Sequence, residues 1–177
     1  VVVYAVLLLG VGENFSLRTK LIIAFLVVAL IPLAVLAVRR ARARPPVPRA
    51  EARRELLHDA EEGLINFDCI SPLKPFLGPG FGELQRRLQA VVALRYALPP
   101  WTPDSKRAHK ACDVALAAAE AVHVAGWTRE EVRGTLGIRS AVMEADPLVP
   151  AFSDEAWRPW APEAAAVRFL AELRRLI

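Results

Sequence analysis

The chain is poor in the residues from which small ligand sites are most often built. Its 177 residues include two cysteines, Cys69 and Cys112, and three histidines, none of them before His58. Two distant cysteines cannot make a disulfide framework or a zinc knuckle, so reduced thiols in a cytosolic compartment are expected. There is no glycine-rich phosphate loop and no internal repeat. No run alternates with period two, which argues against a sheet. Aromatics do not interleave with the arginines and no nucleic-acid motif follows them, so nucleic acid is not an expected partner.

Charge is missing in two places. Residues 1–9 and 21–38 carry none, which explains how a chain of net charge +4 can be 54% hydrophobic. The run 21–38 (LIIAFLVVALIPLAVLAV) has about the length that crosses a bilayer, and Pro32 would kink such a helix without forbidding it. The run 1–9 is too short to span alone. Because the chain opens on Val, it reads as the stump of a longer segment. A signal peptide fits less well, since the arginines follow the long apolar run rather than precede it.

After the apolar run come Arg39, Arg40, Arg42, Arg44, Arg49, Arg53 and Arg54, against the single acid Glu51. The positive-inside rule would put the rest of the chain on the cytoplasmic side. The cluster then reads as a partner for anionic lipid headgroups, or as a basic linker that solubilises the junction. The expected organisation is a membrane segment over 1–38, a Pro/Arg linker over 39–52 and a helical domain over 53–177.

That domain reads as all-α. One helix is expected over Ala50–Leu64, with Gly63 as a possible C-cap. The loop SPLKPFLGPG follows, broken by Pro72, Pro75 and Pro79. A helix over 81–98 carries Leu84, Leu88, Val91, Val92 and Leu98 at helical spacing. Thr102, Pro103 and Asp104 mark the start of an Ala-rich helix that should stop near Gly126. Thr128 with Glu131 makes a capping box for a short helix ending near Gly137. A last helix from Pro162 should bury Val167, Leu170, Leu173 and Leu176 or Ile177. Trp101, Trp127, Trp157 and Trp160 stand beside Pro or Gly breaks, where a large aromatic seals a loop onto the core.

The chemistry-bearing stretch is ELLHDAEEGLINFDCISPLK, residues 55–74. On one helix His58 and Asp59 lie about 100° apart, and Glu62 follows four residues after His58, so the three edge one face. Imidazole beside carboxylate suits a borderline or hard divalent cation. A further ligand must come from elsewhere, and Asp113 in the Ala-rich helix is the best candidate, because an acid there is costly to bury unless paired or metal-bound. Glu120 lies two turns on, on the same face. Asp113 could equally face solvent or pair with Lys110, and His109 and His123 read as helix-surface residues.

LLHDAEEGLINFDCISPLK resembles the central signature of the HD-domain phosphohydrolase superfamily, closest in style to small phage- or prophage-type HD proteins and bacterial 5'-deoxynucleotidases. The stretch FGELQRRLQAVVALRYALPPWTPDSKRAHKACDVALAAAEA also resembles that group, and the similarity covers roughly residues 53–177. It implies an all-α HD-type fold and a bound divalent metal (Mn, Co, Mg, Fe or Zn). It further implies that His58, Asp59 and Asp113 are metal ligands, with Asp59 bordering the substrate as well. Glu62 and Asp68 would assist proton transfer. Asp68, Cys69, Ile70 and Ser71 would touch the sugar and phosphate of a nucleotide, with Lys74 beside the phosphate or simply on the loop surface. The implied reaction is hydrolysis of a phosphomonoester.

The chain departs from the family pattern in three ways. Ile70 stands where the loop has Pro, the spacing from His58 to Asp68 is one residue longer than in the nucleotidases, and the family's upstream metal-binding His has no counterpart in residues 1–57. The segment FSLRTKLIIAFLVVALIPLAVLAV instead looks like the membrane helix of a bacterial sensor kinase. Three readings follow: a membrane-tethered phosphohydrolase with a depleted site; a degenerate HD domain that binds a nucleotide or partner without turnover; and a truncated or fused product whose helical domain lacks a core helix.

Overall fold

The computed structural model describes residues 32–40, 42, 46–65, 74–153 and 155–177. Every regular element among them is helical. A helical stretch over 32–40 leads. It is followed by α1 (Arg49–Leu56), α2 (Ala60–Ile65), a 3₁₀ turn (Lys74–Leu77), α3 (Gly78–Arg95), α4 (Pro103–His123), α5 (Arg129–Thr135), α6 (Val149–Phe152) and α7 (Pro162–Leu176). The all-α expectation therefore holds for the described residues.

Capping fixes the two best-predicted starts. The Thr102 hydroxyl accepts from Ser105 N–H, and the Ser105 hydroxyl accepts from Thr102 N–H, so two donors that the first turn leaves without partners are satisfied reciprocally. Thr128 and Glu131 do the same for α5. Helix α4 ends at His123 and α5 at Thr135, each followed closely by a left-handed glycine, Gly126 or Gly137. Over 74–80 the Pro/Gly stretch is less disruptive than expected, and 71–73 lie outside the described residues. Helix α3 already begins at Gly78, because Pro79 sits in the first turn, where a missing N–H costs nothing.

The main core answers part of the membrane expectation. Leu33, Val35, Leu36 and Val38 are buried with Leu56, Leu57, Cys112, Leu116, Trp160, Leu173 and Leu176. The end of the apolar run is thus core of the helical domain. Among the described residues no helix is long and apolar enough to cross a membrane. Residues 1–31, which hold the rest of the expected span, lie outside the described residues. A smaller apolar cluster, Ala118, Ala121 and Val132, joins α4 to α5, with Trp127, Leu136 and Ile138 against it.

The expected basic linker is a clamp. Arg49 donates to the carbonyls of Leu176 (3.1 Å) and Arg175 (2.7 Å), and Arg53 to those of Leu176 (3.1 Å) and Ala97 (3.2 Å). These are carbonyls at or just beyond the C-terminal ends of α7 and α3, where intrahelical donors run out and positive charge is favoured. Arg54 reaches Pro100 O at 2.8 Å and lies over the Trp101 ring, 3.9 Å from its centroid. Arg40 pairs with Glu172 at 2.6 Å.

Two amphipathic expectations need correction. In α7 the buried side is Ala165, Leu173 and Leu176, with Phe169 packed against it, while Val167 and Leu170 are exposed. In α3 only Val92 is buried, and Leu84, Val91 and Leu94 are exposed. The principal described neighbours of α3 are α2 and the 3₁₀ turn, and its C-terminal end reaches the main core through Val92.

Candidate functional site

The expected single helix over Ala50–Leu64 is broken at Leu57–Asp59, where the candidate ligands stand. Continuing the helix would require the Glu55 carbonyl to accept from the Asp59 N–H four residues on. His58 Nδ1 takes that carbonyl instead, at 2.8 Å. The chain turns, Glu62 N–H donates to Asp59 O at 3.1 Å, and α2 starts with Glu61 and Glu62 in its first turn. Gly63 lies inside α2 rather than capping it.

Since a carbonyl can only accept, His58 Nδ1 carries the proton, and Nε2 faces Asp59 Oδ2 at 2.7 Å. The His58 side chain is nearly buried, whereas that of Asp59 keeps 26% exposure, so the pair opens outward through the carboxylate. Burial pulls the His58 pKa down, but the Asp59 charge and hydrogen bond, the Glu55 carbonyl and the more distant Asp113 outweigh it and raise the value to about 9. Burial pushes Asp59 the other way, yet His58 and His109 hold its pKa below the usual carboxylate range.

Behind this pair lies a group that the sequence reading missed. Glu55, fully buried, accepts from His109 Nδ1 at 2.6 Å and from Arg39 Nε at 3.2 Å. His109 is therefore an interior residue of α4. Its ring meets that of His58 edge-on, with centroids 4.5 Å apart, and leans against Trp101 at 4.8 Å. Glu55 thus holds both imidazoles through Nδ1, one by its backbone carbonyl and one by its carboxylate. Its place four residues before Asp59, with Leu56 and Leu57 between, was the available signal. His123 is not a free surface residue either: it stacks on Trp157 and lies 3.0 Å from Met143 O.

The remaining expected residues divide. Glu62 is buried, and its carboxylate, with those of Asp59 and Glu61, offers oxygens all within 4.8 Å of one another. Glu61 accepts from Gln89 Nε2 at 2.5 Å, and burial raises its pKa. Asp113 lies close enough for its charge to act on His58, but its carboxylate pairs with Lys110 at 2.6 Å, as one of its open readings had it. Burial, then the charges of Asp113 and Asp146, lift Glu120 to about 7. Asp68, Cys69, Ile70 and Ser71 lie outside the described residues. Lys74 begins the 3₁₀ turn.

Among the described residues, the group whose ligand atoms could converge on a cation is Asp59, Glu61 and Glu62. Two ligands set at right angles on a cation with bonds of about 2.1 Å stand roughly 3 Å apart. The 2.7 Å between His58 Nε2 and Asp59 Oδ2 is shorter than that, a hydrogen bond within an ion pair that a cation would have to displace. A ring nitrogen that ligates metal commonly has its partner nitrogen donating to a carbonyl or carboxylate, and both His58 and His109 show that second bond.

No family model matches the chain. A stretch of 98 residues, 55% of this chain, is 41% identical to an uncharacterized protein of Rhodobacter capsulatus, of which it covers 50%. The chain thus spans about half the length of the curated relative it matches.

Proposed function

We propose that the chain is a metal-dependent phosphohydrolase acting on a phosphomonoester of the nucleotide class. The observation that carries the reading is the adjacent His58–Asp59 pair, with His58 Nδ1 anchored on a backbone carbonyl so that Nε2 turns to the Asp59 carboxylate. His58 and Asp59 would hold the cation, and Asp113 would join them after release from Lys110. His109, oriented by Glu55, would supply the imidazole that the upstream part of the chain lacks. A divalent ion bound there supplies an activated water and charge neutralisation on phosphoryl oxygens. Glu62 sits at the edge of the same cluster and, with Asp68, would hand a proton to the leaving hydroxyl.

The alternative is a binding domain without turnover, favoured by the Lys110–Asp113 pair, which closes one ligand position. Metal analysis of the purified chain, with phosphate release from nucleoside 5'-monophosphates, separates the two. Bound metal and release that both vanish in His58→Ala support the hydrolase. Nucleotide binding without release at any metal concentration supports the alternative.

A membrane tether through the apolar run 21–38 and a cytoplasmic face for the domain belong to the same reading, and the tether would require residues 33–38 to exchange protein for lipid, because 21–31 alone are too short to span. Residues 33–38 are occupied in the core. Fractionation of cells making the chain tests the tether: recovery in the membrane pellet after a carbonate wash supports it, and full release rejects it.

A further inference from the structure

An open pocket of about 310 Å³ lies where the leading helical stretch, α1 and the end of α7 meet, lined by Arg40, Val47, Arg49, Ala52, Arg175 and Leu176. Its volume falls at the lower end of the range for small-molecule sites. None of these residues belongs to the His58 site. Three are arginines and none is acidic. Glu172 bridges Arg40 (2.6 Å) and Arg175 (2.7 Å), so one carboxylate stands against three guanidinium groups and the cluster is net positive.

The guanidinium groups are held before any ligand arrives. Arg49 is fixed by the carbonyls of Leu176 and Arg175, and Arg40 and Arg175 by Glu172. Those bonds use only some of the five N–H donors each group carries. Arg49 Nη1, Arg175 Nη1, and Nε and Nη2 of Arg40 make no hydrogen bond to other described residues. Fixed planar donors in excess over nearby acceptors are what a multiply charged tetrahedral anion needs, since its oxygens can each take a charge-assisted bond. The apolar floor of Val47, Ala52 and Leu176 leaves room for a small group. We propose that this pocket binds the phosphate group of an anionic ligand, with Arg40, Arg49 and Arg175 as its donors.

The test titrates the full chain with inorganic phosphate and pyrophosphate by calorimetry, and in parallel measures its binding to vesicles of phosphatidic acid against phosphatidylcholine. The expected result is saturable binding that Arg40→Gln and Arg175→Gln each weaken at least tenfold, while Arg133→Gln, an exposed arginine of α5 outside both sites, leaves it within twofold. Arg40→Lys, which keeps the charge and loses the fork, should fall between. It also serves if Arg40→Gln does not fold. Vesicle binding lost in Arg40→Gln, with no response to free phosphate, assigns the group to a lipid headgroup. Response to free phosphate alone assigns it to a soluble ligand. Binding in neither arm, or binding unchanged in both arginine variants, overturns the proposal. So does an equal loss in Arg133→Gln, since it would make the response one to positive charge in general.

Discussion

Glu55 is the residue on which most interactions converge: one buried carboxylate serves Arg39 and His109, and its carbonyl serves His58. Removing one partner of a buried charged group strands the other, at a cost of about 3–5 kcal/mol. Glu55→Ala should therefore lower the unfolding free energy by about that much in urea denaturation, and a loss below about 1 kcal/mol would show the group to be incidental. His58 gives a pH signature. Its folded pKa, about 9, lies above its ordinary value of 6.5. The stability it contributes is thus complete below about 6.5 and is lost as pH rises through 9. The metal-free chain should melt at lower temperature at pH 9.5 than at pH 7, and Asp59→Asn should flatten that difference. His58 and Asp59 were legible as a pair because they are neighbours in sequence and stand in a stretch that resembles a known signature, although a His-Asp dipeptide by itself is common by chance. His109 was not, because its interior placement depends on a partner 54 residues away.

Among the elements, those whose ends are set by local chemistry were the most legible. The Thr102 and Thr128 caps follow from side chains a few residues apart. Thr128→Ala should cost about 1 kcal/mol in equilibrium denaturation. Helix α3 ends on a Schellman pattern, with Leu98 N–H on Ala93 O and Ala97 N–H on Leu94 O, but its left-handed residue is Ala97, at φ +48°. Left-handed backbone costs a non-glycine residue roughly 1 kcal/mol, so Ala97→Gly should stabilise by about that amount. An unchanged or lower midpoint would mean that the freedom glycine adds to the unfolded chain outweighs the relief of the left-handed backbone. The breaks the sequence did not reveal are tertiary. The helix expected over Ala50–Leu64 divides because the His58 side chain competes for the Glu55 carbonyl, and the stripe expected on α7 rotates because Ala165, not Val167, lies in the main core.

For the whole molecule, an apolar run, an arginine cluster and a helical domain were legible as three consecutive parts, but their interdependence was not. Hydropathy records that residues 33–38 avoid water without saying whether lipid or protein covers them; here protein does. The arginines likewise read as a linker because their acceptors are backbone carbonyls, which no sequence pattern marks. A fragment beginning at residue 50 therefore loses Leu33, Val35, Leu36 and Val38 from the core. It should aggregate or bind a hydrophobic dye, and Leu36→Ala in the full chain should cost about 2–5 kcal/mol. The proposed phosphohydrolase site at His58 and Asp59 would depend on a bound divalent metal. The most direct measurement is divalent-metal content of the full chain beside its His58→Ala and Asp59→Ala variants, with phosphate release from nucleoside 5'-monophosphates assayed on each. The account predicts near-stoichiometric metal and measurable release in the parent chain, with both lost in the variants. Metal and release that survive both substitutions, or a parent chain that binds no divalent metal, would contradict it.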